Sequence, residues 1–237
     1  MYRYGLYGFD YTYFIFMIPA IIISLWAQIK VKTTFSKYSK VPNSRGMTGA
    51  DAAHRVLSYN EVTDVTLQHV SGELTDNFNP KDKTLNLSDP VYSKTSVAAV
   101  GVAAHEAGHA VQHAQGYAPM KLRSFLVPAA NIGSTLSFPL ILVGLILPVQ
   151  YIYVVYFGIA LFSLAVLFQL VTLPVEIDAS RRALKTLENS GDLYDEELDG
   201  AKKVLKAAAM TYLAATFVAL LNLLRILLLV SGRRGND

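Results

Sequence analysis

The segment His105-Glu106-Ala107-Gly108-His109 places two imidazoles four residues apart, with a carboxylate beside the first. Residues at that spacing share one face of an α-helix, so both rings can meet a single ion. H-E-x-x-H on a helix is the pattern in which two histidines hold zinc and the glutamate takes a proton from water. Here it lies among Val100, Val102, Ala103, Ala104, Ala110 and Val111, where polar side chains are costly unless they have partners. The chemistry this supports is metal-assisted hydrolysis, with one Zn2+ per chain and Glu106 as general base.

A catalytic zinc takes three protein ligands and leaves a fourth position open. His113 is not expected to be the third. At 1.5 Å per residue it stands about 12 Å from His105 along the helix axis, too far to share an ion, so it is assigned a supporting place beside the site. A chain bent at a glycine towards a later histidine would need Gly and His where Gln112 and Gln115 stand. Glu176, in Pro174-Val175-Glu176-Ile177-Asp178-Ala179-Ser180-Arg181-Arg182, is the favoured third ligand. Asp178 is the alternative, either as ligand or as a group that orients a ligating histidine. His69 is a further candidate, and the plain alternative pairs both acids with Arg181, Arg182 or Lys185. The chain has no cysteine, which excludes thiolate ligation and disulfides.

These residues need elements to carry them. Hydrophobic residues make up 52% of the 237 and charged ones 16%, with a mean hydropathy of +0.33, values that fit a membrane protein. Four apolar runs, 11–27, 125–149, 151–175 and 207–230, each reach the length that crosses a bilayer. The fold expected is mainly α: a polytopic membrane protein with about four transmembrane helices and a membrane-proximal, zincin-like catalytic region containing a small β-hairpin. The division is 1–28 as anchor, 29–124 as catalytic region, 125–175 as a helical hairpin turned at Pro148 and Gln150, 176–206 as third-ligand segment, and 207–237 as last helix and tail. The first run lacks a basic leader and an A-x-A-like exit, so it is read as a retained anchor. Arg225, near the end of the last run, is placed to snorkel to the interface.

The basic residues flank these runs. Lys30, Lys32, Lys37, Lys40, Arg45, Lys121, Arg123, Arg181, Arg182, Lys185, Lys202, Lys203 and Lys206 border the two polar stretches, against Arg3, Arg233 and Arg234 opposite. Both polar stretches, and with them the catalytic site, are therefore expected on the cytoplasmic side. Topology accounts for the net charge of +3, and no nucleic-acid partner is expected.

Within 29–124, Thr48 and Asp51 form a capping-box pair that opens a helix over 48–57, with His54 at the edge of its apolar face. Val65 and Leu67 alternate with polar neighbours, as do Leu85 and Leu87 after Asp76, Asn77, Asn79 and Pro80, which predicts a hairpin. The strand Leu85, Asn86, Leu87, Ser88 is expected to offer an exposed edge to an extended peptide. The motif helix is predicted over 97–114, capped by Ser93 or Thr95 and stopped at Gly116 with Pro119 beyond. The acidic segment 192–199 reads as a solvated helix start.

The chain resembles the YugP-type neutral zinc metallopeptidases of bacterial membranes, which are similar in layout to the HtpX-type membrane gluzincins. The resemblance covers nearly the whole chain. It is carried by the early anchor, Leu74-Thr75-Asp76, Asn79-Pro80, Leu85-Asn86-Leu87-Ser88, Ala104-His105-Glu106-Ala107-Gly108-His109-Ala110, Pro174-Val175-Glu176 and Asp178-Ala179-Ser180-Arg181-Arg182-Ala183. It implies a zinc endopeptidase of the bacterial plasma membrane, with His105, His109 and Glu176 as ligands and Glu106 as base. In HtpX-type enzymes an aspartate follows the ligand glutamate by four residues; Ser180 stands there in this chain, so Ser180 and Asp178 both become candidates for orienting the ligands. The expected partners are a peptide or protein substrate and membrane lipid, with room for a membrane-protein partner or a homo-oligomer. Two rivals are an intramembrane protease and a non-catalytic zinc-binding membrane scaffold. The first lacks an Asn-Pro-Asp-Gly-like segment, and the second usually uses four ligands with cysteine among them.

Overall fold

The computed structural model describes residues 11–234; Arg3 lies outside them. In chain order the elements are α1 (Tyr11–Tyr38), α2 (Gly49–Tyr59), β1 (Thr66–Val70), β2 (Asn77–Asn79), β3 (Thr84–Ser88), α3 (Val97–Ala114), α4 (Ala118–Ile146), α5 (Tyr153–Asn189) and α6 (Asp195–Arg234). A single 3-10 turn, Val149–Tyr151, separates α4 from α5, where a tight turn at Pro148 and Gln150 is predicted. The chain is thus mainly α with a small sheet, and α1, α4, α5 and α6 are long and apolar enough to cross a membrane.

All four long helices run past their apolar segments. A formed helix adds residues at little cost, because each residue fixed gains a hydrogen bond. The polar extensions also carry buried stripes of their own. On α5, Val175, Ala179, Ala183 and Leu187 recur every fourth residue and are fully buried; on α6, Ala201, Val204 and Leu205 are buried. The helix long and apolar enough to cross a bilayer is therefore the same helix that delivers Glu176.

The chain divides into two compact units. In one, which holds residues 126–170 together with parts of α1 and α6, Ile141, Val155, Ile159 and Val230 pack together. Ile15, Phe138 and Phe157 face outward, as suits side chains meeting lipid. The other unit, 27–125 with 171–212, holds the sheet and a core of Val56, Leu57, Leu85, Leu87, Val100, Ala104, Val111, Leu187 and Leu205.

The sheet corrects the sequence reading in its pairing. Its order is β1-β3-β2. β3 lies parallel to β1, Thr66 opposite Thr84 and Val70 opposite Ser88, and antiparallel to β2, Asn77 opposite Asn86. The hairpin is β2–β3, and the segment holding Leu67 joins it as a parallel neighbour. Leu85, Asn86, Leu87 and Ser88 are thus in the central strand and cannot offer the exposed edge expected of them. Leu85 and Leu87 are fully buried. Beyond β2, Asp76 takes over the pairing: its Oδ1 accepts from the Ser88 amide at 2.8 Å and its Oδ2 from the Ser88 hydroxyl at 2.8 Å.

The caps place α2 and α3. Thr48 Oγ1 accepts from the Asp51 amide at 3.1 Å, and Asp51 Oδ2 accepts from the Thr48 amide at 2.9 Å, the reciprocal pair predicted. The Thr48 hydroxyl, 2.6 Å from Asp51 Oδ2, and then the Thr48 amide hold the Asp51 carboxyl below its usual range. α3 is capped by Ser96, whose hydroxyl accepts from the Ala99 amide at 3.2 Å, rather than by Ser93 or Thr95. The Thr95 carbonyl is engaged by the Asn43 backbone amide at 2.8 Å. At the other end Gly116 adopts φ +66°, a conformation that favours glycine. There the Tyr117 amide donates to Gln112 and the Gly116 amide to His113, closing α3. Pro119 falls in the first turn of α4, where a missing N–H costs nothing.

Candidate metal centre

α3 and α5 supply the donors, and both stretches lie in the unit that contains the sheet. The four-residue spacing on α3 puts His105 and His109 on one face, with ring centroids 4.7 Å apart. From α5, Glu176 Oε2 lies 3.2 Å from His105 Nε2 and 3.5 Å from His109 Nε2. One donor atom from each of the three residues falls within 4.8 Å of the others. Glu176 is 3% exposed in its side chain and His109 8%, while His105 at 13% is more open.

Close approach of the two helices is possible because position 108 has no side chain. A Cβ on Gly108 would stand 2.5 Å from the Ala179 carbonyl oxygen, well inside contact distance. The motif glycine therefore sets the gap between α3 and α5.

Each histidine has its other nitrogen occupied. The Ser180 hydroxyl lies 3.0 Å from His105 Nδ1, and Gln112 Oε1 lies 3.0 Å from His109 Nδ1. With Nδ1 so engaged, both rings turn Nε2 towards Glu176, the orientation such partners impose on ligating histidines. Ser180 follows Glu176 by one helical turn and so faces the same way. Gln112, fully buried, is itself held: its Nε2 donates to the Val175 carbonyl and to Asp178 Oδ2, each at 2.8 Å. Asp178 in turn accepts from Arg182 Nε at 2.5 Å, and Arg182 also donates to Gln115. Asp178 thus sits one residue further from the rings than the sequence suggested, acting on His109 through Gln112. Replacing Gln112 with Ala is expected to lower zinc affinity about 10–100-fold, measured by chelator competition.

His69 and His113 are not brought to the donor group. His69 Nε2 lies 2.8 Å from Asp89 Oδ1 and its ring packs on Tyr92. His113 packs its ring on Phe78, centroids 5.7 Å apart. Two other residues do reach the site. Arg123, from α4, places Nη1 3.2 Å from Glu176 Oε1, and Tyr212, from α6, is close enough to interact with Glu176. In the sequence Arg123 looks like any basic residue flanking a span, and Tyr212 like one more aromatic in an apolar run. Neither carries a local signal.

Electrostatics suit the donor set. Burial pushes the Glu106 carboxyl above its usual range despite the two histidines beside it. Burial alone would lower His109, but the Glu176 and Glu106 carboxylates outweigh it and hold the imidazole above its ordinary value. The residues fit zinc on their chemistry: two imidazole nitrogens and one carboxylate oxygen, with no thiolate needed. Ligands on a tetrahedral ion at about 2.0–2.1 Å stand roughly 3.3 Å apart, which the separations from Glu176 Oε2 already match.

Comparison with known proteins agrees with this. The model of the family described as "Putative neutral zinc metallopeptidase" matches residues 13–231. The chain is 45% identical over 225 residues to the "Putative membrane protease YugP" of Bacillus subtilis (strain 168), covering 94% of this chain and 99% of that protein. No solved structure matches. A family match over nearly the whole chain, and a relative of nearly the same length, show that this protein belongs to the neutral zinc metallopeptidase family.

Proposed function

We propose that the chain is a multi-pass endopeptidase of the bacterial plasma membrane, gluzincin-like, working at the cytoplasmic face with one zinc held by His105, His109 and Glu176. The observation that supports it best is the meeting of three donors from α3 and α5, both imidazoles oriented from behind, with Glu106 next to His105 on α3. Zinc, when bound, supplies Lewis acidity towards water and the scissile carbonyl.

The chain's own residues do the rest. Glu106 takes a proton from the attacking water at its carboxylate. It then gives that proton to the departing amine nitrogen. The substrate backbone lies along the outer edge of β2, the antiparallel edge strand, whose other side is paired with β3. Asp76, immediately before β2, is within electrostatic range of Glu106, which supports this choice of edge. Main-chain pairing reads little of the side chains and gives broad specificity. A structural scaffold would call for a fourth donor, and the donor group among the described residues has three.

The test is hydrolysis of an unfolded protein by the full chain purified in detergent. Cleavage that stops on chelation and returns with added zinc supports the reading. Cleavage indifferent to the chelator, or none from zinc-loaded protein on a panel of extended peptides, contradicts it.

A further inference from the structure

This inference rests on the zinc site proposed above and concerns what Arg123 does there. The two oxygens of Glu176 keep different company. Oε2 faces the Nε2 atoms of His105 and His109 at 3.2 and 3.5 Å, whereas Oε1 lies 3.2 Å from Arg123 Nη1. A carboxylate can grip an ion through one oxygen or through both. A second bond would fill the coordination position that a hydrolytic site must leave open.

Arg123 stands where it decides between the two modes. Its guanidinium is always charged and holds a carboxylate in a fixed plane, and Glu176 is too buried, at 3% exposure, for water to compete easily. We propose that Arg123 is a positioning residue that confines Glu176 to one-oxygen ligation and so keeps a coordination position free for water. Arg123 lies on α4, five residues past the start of that helix at Ala118, so the helix entering the membrane takes part in shaping the site.

The plain account of Arg123 is charge compensation for a buried acid. That account covers the metal-free chain, but a bound dication would already compensate Glu176, and a second cation beside it repels the ion. Compensation alone predicts a change in the stability of the metal-free protein. Positioning predicts a change in the coordination of the loaded protein.

Cobalt in place of zinc separates them, because its visible d–d absorption is strong in four-coordinate sites and weaker as coordination number rises. The full chain in detergent is loaded with Co2+ as wild type, Arg123→Gln and Arg123→Lys. The expected result is equal cobalt uptake, a weaker band in Arg123→Gln with peptide hydrolysis per bound metal down about 10–100-fold, and recovery of most of both in Arg123→Lys. Arg123→Met, similar in bulk but without a donor, repeats the test should the glutamine variant fold poorly. A wild-type band in the Gln and Met variants overturns the role given to Arg123 and leaves the zinc site standing. Wild-type protein that takes up no cobalt overturns the zinc site, and this role with it.

Discussion

Changing Glu106 to Gln is expected to remove peptide hydrolysis while leaving zinc bound. General-base catalysis contributes about 10²–10⁴-fold, so activity should fall by at least that range, to the background of the assay. Glutamine keeps the shape of the side chain but cannot accept the proton from water or return it to the amine. Glu106 is not among the three donors that converge, so metal content should stay at the wild-type value. Activity and metal are read on the same preparation. A variant that loses both places Glu106 in the ligand set; one that keeps both removes it from the chemistry.

Gly108→Ala is expected to destabilise the protein, against the preference of helices for alanine. In an exposed helix the exchange gains about 1 kcal/mol. At position 108 the new Cβ would meet the Ala179 carbonyl oxygen at 2.5 Å and the Ala179 carbonyl carbon at 3.1 Å. Both are backbone of α5, so the helices must part. Overpacking of this kind costs about 1–3 kcal/mol. Separation also draws Ser180 away from His105 and Glu176 away from both rings, so thermal stability and zinc affinity should fall together. Gly101→Ala is the control: its Cβ would meet Ala201 at ordinary contact, 3.5 Å, so thermal stability should hold or rise by up to about 1 kcal/mol and zinc affinity should stay at the wild-type value.

How much of this could be read from the sequence depends on how local the information is. The two histidines and Glu106 are legible because a helix fixes four-residue spacing by itself. Glu176 is legible because it follows an apolar run on the membrane side expected for the motif, and pairing it with Arg181, Arg182 or Lys185 instead would leave the two histidines without a third ligand. Ser180 follows from Glu176, since one helical turn puts both on the same face, whereas Asp178, two residues away, points elsewhere and meets Gln112. Gln112 itself illustrates the limit. From sequence it serves only to exclude a third histidine ligand, while in the fold it joins His109 to Asp178. Arg123 and Tyr212 come from helices remote in sequence, and nothing near them marks the encounter.

The sheet shows the same limit at the level of the fold. Alternation at Val65 and Leu67, and at Leu85 and Leu87, marks strands and their buried face. It carries no information on whether two strands run parallel or antiparallel. A turn-rich link suggested one hairpin, yet Asn77–Asn79 within that link forms the antiparallel partner, pushing the earlier strand to the parallel side. The edge proposed for substrate moves with it, from β3 to β2. Helix ends were set more sharply, because Thr48, Asp51 and Gly116 act on their own backbone neighbourhood.

The most direct measurement is zinc content by mass spectrometry on detergent-purified protein, comparing wild type with His105→Ala and Glu176→Ala after identical washing. About one zinc per wild-type chain is expected, with loss of it in both variants, since removing either a histidine or the carboxylate breaks a three-ligand site. Retention of zinc in Glu176→Ala, or wild-type protein that binds none after supplementation, would contradict it.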